Sequence, residues 1–165
     1  MKEKKQIKGT LIIDTREQLP LPFGKSKYWD IIKEKIDFGD YGLKINDKLV
    51  CAFERKSASD LFGTLTSGHE RFNKEIQRAK EKGIFFFIII ENTYDDIMNK
   101  RFDGSFKIKT KGHTIIKTVH TMTIKHDLNF IFCNGRTEMK DYIYNMFYSL
   151  INFYDKHGGK EKNEQ

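Results

Sequence analysis

Residues 39–60 read GDYGLKINDKLVCAFERKSASD, and they predict two β-strands followed by a cluster of charges. Residues 41–45 and 49–54 are the strand-like runs, and the polar residues Asn46-Asp47-Lys48 between them favour a turn. The second run is apolar without a break until its last residue. We therefore expect a hairpin whose second strand is buried and carries charged side chains at its carboxyl end.

Three charged residues of this hairpin can form a metal site. Glu54 and Lys56 are two positions apart on the predicted strand, so their side chains project from the same face. Asp40 begins the other strand, which can return its carboxylate toward Glu54. Two carboxylates make a hard oxygen site suited to Mg²⁺. An ammonium beside such a metal can orient an attacking water or help to deprotonate it.

The same residues also allow plainer interpretations. Glu54-Arg55-Lys56 could be an ordinary solvated charge cluster, but α/β folds place their sites at the carboxyl ends of buried strands. Asp60 could accept a hydrogen bond from a backbone N–H as part of a capping box with Ser57 at a helix start. A role for Asp60 in the site is compatible with that capping.

Strands and helices alternate along the rest of the chain. Short apolar runs predict strands at residues 9–14, 84–90 and 129–133. The run at 84–90 is apolar at every position, as in a strand covered on both faces. Helical patterns are predicted at residues 28–35, 57–65, 70–82, 112–127 and 137–154. This order of elements predicts an α/β protein with a mixed central sheet flanked by helices.

The composition favours an intracellular protein with a polyanionic partner. The chain of 165 residues can bury a core and has a formal net charge of +7, and clustered Lys and Arg attract phosphates. We expect one domain at residues 9–157, with flexible charged tails at 1–8 and 158–165. Cys51 and Cys133 form no CxxC pair and are expected to be buried free thiols. No apolar run approaches the roughly 20 residues that cross a bilayer, so we expect a soluble, cytoplasmic protein.

The charged motifs resemble the signature of a nuclease family. Gly39-Asp40, Glu54-Arg55-Lys56 and Asp60 match the GD…ERKxxxD motif of the XPF nuclease family, which is built on the restriction-endonuclease-like PD-(D/E)xK core. Asp14-Thr15-Arg16-Glu17 is similar to the D-x-R-E that ends the family's first strand, and Arg71 stands close to a basic residue of the helix that follows the motif. The gap between Asp40 and Glu54 is longer than in the family, but the extra residues fall in the predicted turn.

The resemblance implies a DNA endonuclease that uses Mg²⁺ or Mn²⁺ and cuts branched or flap-like DNA. Asp40 and Glu54 would be the metal ligands, joined by the backbone carbonyl of Arg55. Lys56 would orient the water, and Arg55 would support the site. Three further residues would complete the active surface, by outer-shell contacts or by holding phosphate: Asp14, Arg16 and Asp60.

A basic segment and the last predicted helix suggest partners. Residues 100–117 are rich in Lys, with Phe102 and Phe106 interleaved, and Lys107, Lys109 and Lys111 could grip a phosphate backbone while an aromatic ring stacks on a base. A solvated loop anchored by its Phe residues is equally consistent. Arg16 and Arg71 are further candidates for DNA binding. The last helix is apolar on more than one face, which together with the resemblance favours a homodimer.

Other interpretations of the function remain open at this point. Family members usually carry a tandem helix-hairpin-helix module after the nuclease, and none follows here. We therefore expect weaker duplex binding, or a protein partner that supplies it. The chain could also be a noncatalytic DNA-binding subunit, although every charged motif position is present. A junction resolvase or a restriction-like nuclease on the same core is the third possibility.

Overall fold

The structure, a computed structural model, describes residues 7–157 and contains within them six strands. They are β1 (Gly9–Ile13), β2 (Trp29–Lys33), β3 (Tyr41–Ile45), β4 (Lys48–Lys56), β5 (Phe85–Ile90) and β6 (Asn129–Phe132). One sheet holds all six in the order β2-β1-β3-β4-β5-β6. β3 is antiparallel to both of its neighbours, whereas the pairs β1–β2, β4–β5 and β5–β6 are parallel. The predicted mixed sheet is confirmed.

Five helices in the described part of the chain flank this sheet. They are α1 (Ala58–Thr66), α2 (His69–Glu81), α3 (Tyr94–Asn99), α4 (Gly112–His126) and α5 (Gly135–His157). Four of them were predicted, with ends that differ by a few residues. The short helix α3 was not predicted, because six residues are too few for an apolar period to stand out.

The predicted hairpin is present. β3 and β4 pair with Tyr41 opposite Phe53, and Asn46 and Asp47 in the turn have φ values of 51° and 61°. Two successive positive φ values are typical of a type I′ turn, whose twist matches that of paired strands. β4 continues to Lys56, so the charged triplet stands on the strand itself.

The sheet is buried on both faces, and β5 shows the division. Ile88 and Ile90 pack into the core formed with α1, α2 and α4, whereas Phe87 and Ile89 pack into the core under α5. α5 contributes one fully buried residue per turn: Met139, Ile143, Phe147 and Ile151. The prediction that β5 is covered on both faces is confirmed.

The helix predicted at residues 28–35 is a strand, so that prediction was wrong. β2 pairs in parallel with β1, with Trp29 opposite Gly9. The Trp29 ring is buried and lies 4.7 Å from the ring of Tyr144 on α5. Ile31 and Ile32 are β-branched and suit an extended edge strand. Pairing with a distant strand therefore outweighed the local pattern.

The remaining sequence predictions concern the cysteines, the tails and membrane crossing. Both cysteines are buried free thiols, as predicted. Of the predicted flexible tails, residues 1–6 and 158–165 lie outside the described residues, while the Ile7 N–H donates to Asp155 and Lys8 pairs with Asp30. Between residues 7 and 157, no helix has the length and apolar character to cross a membrane.

Candidate active site

The carboxyl end of β4 places Glu54 and Lys56 on one face of the sheet, as predicted. The Lys56 Nζ lies 2.5 Å from Oε1 of Glu54 and 5.7 Å from the centre of the Phe72 ring on α2. Both charged side chains are about 85 % buried. Such a close, sheltered pair differs from a solvated charge cluster, because each group is fixed by the other and by the helix above it.

Asp40 reaches the edge of β4 through a tight approach of two backbones. Gly39 has a φ of +78°, and a Cβ there would lie 2.8 Å from the carbonyl oxygen of Phe53, so a side chain would not fit. The Asp40 N–H donates to that carbonyl at 2.7 Å, and the Asp40 Oδ2 accepts from the N–H of Arg55 at 2.7 Å. The carboxylate is thereby held against the strand that carries Glu54.

The electrostatics of Asp40 favour a cation nearby. Burial raises the pKa of Asp40 to about 7, and the negative charge of Glu54 acts in the same direction. The hydrogen bond from the Arg55 N–H only partly opposes this. Two carboxylates that repel each other in a sheltered place are stabilised together when a divalent cation binds between them.

The backbone of Arg55 can supply a third oxygen. In an extended strand, the N–H and C=O of one residue point to the same side. The Arg55 N–H is taken by Asp40, whereas the Lys56 carbonyl faces the other side and accepts from the Glu91 N–H at 3.0 Å. The Arg55 carbonyl therefore faces the edge where Asp40 lies. Among residues 7–157, no three His, Cys, Asp or Glu side chains cluster as a metal site. Two carboxylates and one carbonyl nevertheless fit Mg²⁺ or Mn²⁺, since Mg²⁺ keeps several waters.

Glu75 is a carboxylate beside the site that the sequence analysis missed. Its Oε1 accepts from the Gly39 N–H at 3.3 Å. Burial raises the pKa of Glu75, and the charge of Glu54 raises it further. Glu75 stands on α2 between Phe72 and Ile76, which are both buried. A carboxylate beside the buried face of an amphipathic helix was the available signal.

Asp14 is buried, and both of its carboxylate oxygens accept hydrogen bonds. Its Oδ1 accepts from the Arg16 Nε at 2.7 Å, and its Oδ2 accepts from the Ile36 N–H at 2.8 Å. Burial alone would raise the pKa of Asp14, but the hydrogen bonds from Arg16 and Ile36 outweigh it and lower the pKa. The Asp14 N–H donates to the carbonyl of Asp40 at 2.9 Å. Asp14 thus positions Asp40 through the backbone, and its oxygens are already occupied.

The guanidinium of Arg55 lies on the opposite face of the sheet from Glu54. Its Nε and one terminal nitrogen donate to the two oxygens of Glu17, at 2.8 and 3.1 Å. Its other terminal nitrogen donates to Glu91, which also accepts from Arg136. Arg55 therefore supports the site through its backbone, while its side chain joins the D-x-R-E segment to the end of β5.

Asp60 and Arg71 lie on the helices that follow β4. The Ser57 hydroxyl accepts from the Asp60 N–H at 3.1 Å and donates to the Asp60 carboxylate at 2.7 Å. The predicted cap is present, but the Asp60 carboxylate accepts from a hydroxyl and not from a backbone N–H. Asp60 and Arg71 are both exposed. In the described range 7–157, no hydrogen bond or ion pair joins either of them to Asp40 or Glu54.

The basic segment is partly anchored. Phe102 packs on Phe62 of α1 with ring centres 5.3 Å apart, whereas Phe106 is 84 % exposed with the Lys107 Nζ over its ring. The anchoring interpretation is therefore confirmed for Phe102, while base stacking by Phe106 stays a prediction. Lys107, Lys109 and Lys111 are exposed, and no contact joins them to the candidate site within the described residues.

The chain is similar to known proteins both in sequence and in fold. The family model of the ERCC4 domain matches residues 13–146, which is most of the chain. The fold is similar to XPF from Aeropyrum pernix, at 17 % identity and a TM-score of 0.63, over 89 % of this chain and 67 % of that one. The same Aeropyrum pernix protein in complex with DNA gives 18 % identity and a TM-score of 0.59, over 90 % and 66 % of the two chains. No curated protein sequence matches this chain. The chain belongs to the ERCC4 domain family, the XPF-type nuclease domains that the GD…ERKxxxD motif predicted.

Proposed function

We propose that this protein is a DNA endonuclease that hydrolyses phosphodiester bonds with Mg²⁺ or Mn²⁺. The observation that carries the proposal is the position of the Asp40 carboxylate, which is bonded to the Arg55 N–H of the strand that carries the paired Glu54 and Lys56. Asp40 and Glu54, with the carbonyl of Arg55, would hold the metal. When bound, a divalent cation polarises the phosphate and lowers the pKa of a water.

The side chain of Lys56 has a distinct task in this proposal. Its ammonium is held by Glu54 at 2.5 Å and by the face of the Phe72 ring, so it has a fixed direction. It would donate a hydrogen bond to the attacking water and stabilise negative charge that develops on the phosphate. Glu54 would accept from the same ammonium and so hold Lys56 in place beside the metal.

The support for DNA as substrate comes from charge and family. The net charge of +7 suits a polyanion, and XPF from Aeropyrum pernix, which has this fold, has been solved in complex with DNA. Branched or flap-like DNA is the proposed substrate, because a flexible junction lets a strand bend into the site at low energy. The chain spans about two thirds of the solved XPF chains. A protein partner that supplies duplex binding is also part of the proposal.

A homodimer through α5 is proposed as well. One side of this helix is buried against the sheet, while Tyr142, Tyr148 and Phe153 on its other sides are 36–48 % exposed. Large exposed aromatic residues on one helix are typical of an interface. Light scattering should give twice the mass of the 19.5 kDa chain, whereas a monomer at tens of micromolar would exclude the dimer.

A panel of labelled substrates tests the function directly. Flap, fork, nicked and linear DNAs of matched sequence are incubated with the protein, with Mg²⁺ or with EDTA. We expect cleavage only with Mg²⁺, and faster cleavage of the branched substrates. If the protein binds these DNAs but cuts none of them under any metal condition, it is a noncatalytic DNA-binding subunit, and the proposal is wrong.

A further inference from the structure

A basic groove lies next to the candidate site. It opens between the segment after β2 and the carboxyl half of α2, and it encloses about 470 Å³. Its floor is formed by Ile36 and Phe38, which are buried. Four cations stand around it: Arg16, Lys35, Arg78 and Lys82. Its volume lies within the range of ligand-binding clefts.

The positive charge of the groove is only partly neutralised. Asp37 and Glu81 are the carboxylates in its wall. Asp37 pairs with Lys82 at 2.8 Å, and this ion pair lowers the pKa of Asp37. Within residues 7–157, neither Lys35 nor Arg78 has an ion-pair partner, and both are exposed. Two cations are therefore available to an anion that enters the groove.

The groove and the site share structural supports. Arg16 lines the groove, and its guanidinium also holds Asp14, which is bonded to the backbone of Asp40. Arg78 follows Glu75 by three residues on α2, so the two lie one turn apart on the same side of the helix. Glu75 accepts from the Gly39 N–H next to Asp40, so this part of α2 lies beside both the candidate site and the groove.

We propose that this groove binds the phosphate backbone of the strand being cut, one or a few nucleotides away from the scissile phosphate. The inference rests on the proposed function. A strand whose scissile phosphate lies at Asp40 and Glu54 must leave the site along a neighbouring surface, and this groove is concave and cationic and shares Arg16 with the supports of Asp40. Lys35 and Arg78 would contact phosphates directly. Arg16 would contribute its charge while it continues to hold Asp14.

Binding in EDTA separates this inference from catalysis. The variant Lys35→Gln/Arg78→Gln removes the two unpaired cations and leaves Asp14 and Asp37 with their partners. The control Lys125→Gln/Lys156→Gln removes the same charge from exposed positions on α4 and α5. Each lost phosphate contact lowers the slope of log K against log salt by about 1. We expect the slope of the groove variant to fall by about 2, and that of the control to stay at the wild-type value.

Cross-linking gives a second and positional readout. The two native cysteines are at most 1 % exposed, so a cysteine introduced by Arg78→Cys can be labelled selectively with a photo-crosslinker. We expect cross-links to nucleotides beside the cleavage position, and none from a label at Lys125→Cys.

The two proposals can fail separately. If wild-type protein cuts DNA while the groove variant keeps the slope of the control, the groove inference is overturned and the endonuclease stands. If no substrate is cut, the endonuclease fails, and the slopes and cross-links still decide whether the groove holds DNA.

Discussion

The carboxylate of Asp40 accepts a hydrogen bond from the backbone N–H of Arg55, 2.7 Å away and across the hairpin. This bond joins the GD and ERK motifs, which lie about fifteen residues apart in sequence, at one edge of the sheet. It fixes the Asp40 carboxylate next to the strand position that carries Glu54.

The ionised carboxylate of Asp40 should destabilise the metal-free protein at high pH. Its pKa is raised from 3.8 to about 7, so the folded protein binds this proton more tightly than the unfolded chain. The contribution of Asp40 to the free energy of unfolding is therefore full below about pH 4. It is lost as the pH rises to about 7. A difference of about 3 units, at 1.36 kcal/mol each, corresponds to at most about 4 kcal/mol. Asp40→Asn should therefore be more stable than wild type at pH 8.

Urea unfolding in EDTA at several pH values measures this effect. The exposed Asp103→Asn serves as a control, since it changes the same charge away from the hairpin. If the free energies of unfolding of wild type and Asp40→Asn change in parallel with pH, the pKa of Asp40 is not raised. Added Mg²⁺ should narrow the difference at pH 8, because the metal binds only the ionised carboxylate of the wild type.

Lys56→Ala should slow cleavage without weakening DNA binding. A group that positions or protonates in the transition state contributes about 10² to 10⁴ in rate. The exposed Lys74→Ala on α2 is a matched control for the loss of one charge. Single-turnover rates and affinities are compared at the same salt concentration. Cleavage by Lys56→Ala at the wild-type rate would return Lys56 to the role of a structural partner of Glu54.

The side chain of Arg55 should stabilise the folded protein. The Glu17 side chain is 3 % exposed and is bound by the Arg55 guanidinium, so Arg55→Met leaves a buried carboxylate without its main partner. Breaking such a pair destabilises a protein by about 3 to 5 kcal/mol. The double variant Glu17→Gln/Arg55→Met should recover a large part of that loss in urea unfolding. Equal stability of wild type and Arg55→Met would show that the pair contributes nothing.

Replacing three lysines tests whether the basic segment of residues 100–117 holds DNA. They are Lys107, Lys109 and Lys111. If all three contact phosphates, replacing them with Gln should lower the slope of log K against log salt by about 3. Cleavage at saturating DNA should stay close to wild type, since these residues make no contact with the site. An unchanged slope would mean that the exposed segment does not hold DNA.

The sequence predicted the parts of the site that depend on local spacing. Glu54 and Lys56 share a face because strand side chains alternate, and the Asn46-Asp47 turn returns Asp40 to β4. It did not predict Glu75 beside Gly39, or the pairing of Glu17 with Arg55, because those contacts join segments that are brought together only by the sheet and α2. The strand β2 was missed for the same reason, since its partner β1 lies about twenty residues away.

If Asp40 and Glu54 hold a catalytic metal, Glu54→Gln should abolish cleavage. This substitution keeps the shape of the side chain and removes its charge. The control Glu70→Gln makes the same change at an exposed position of α2. Cleavage of a labelled flap substrate is measured under single-turnover conditions with Mg²⁺. We expect Glu54→Gln to fold and to bind DNA without cutting it, while Glu70→Gln cuts at the wild-type rate. Cleavage by Glu54→Gln at the wild-type rate, or wild-type cleavage in excess EDTA, would contradict the proposed metal site.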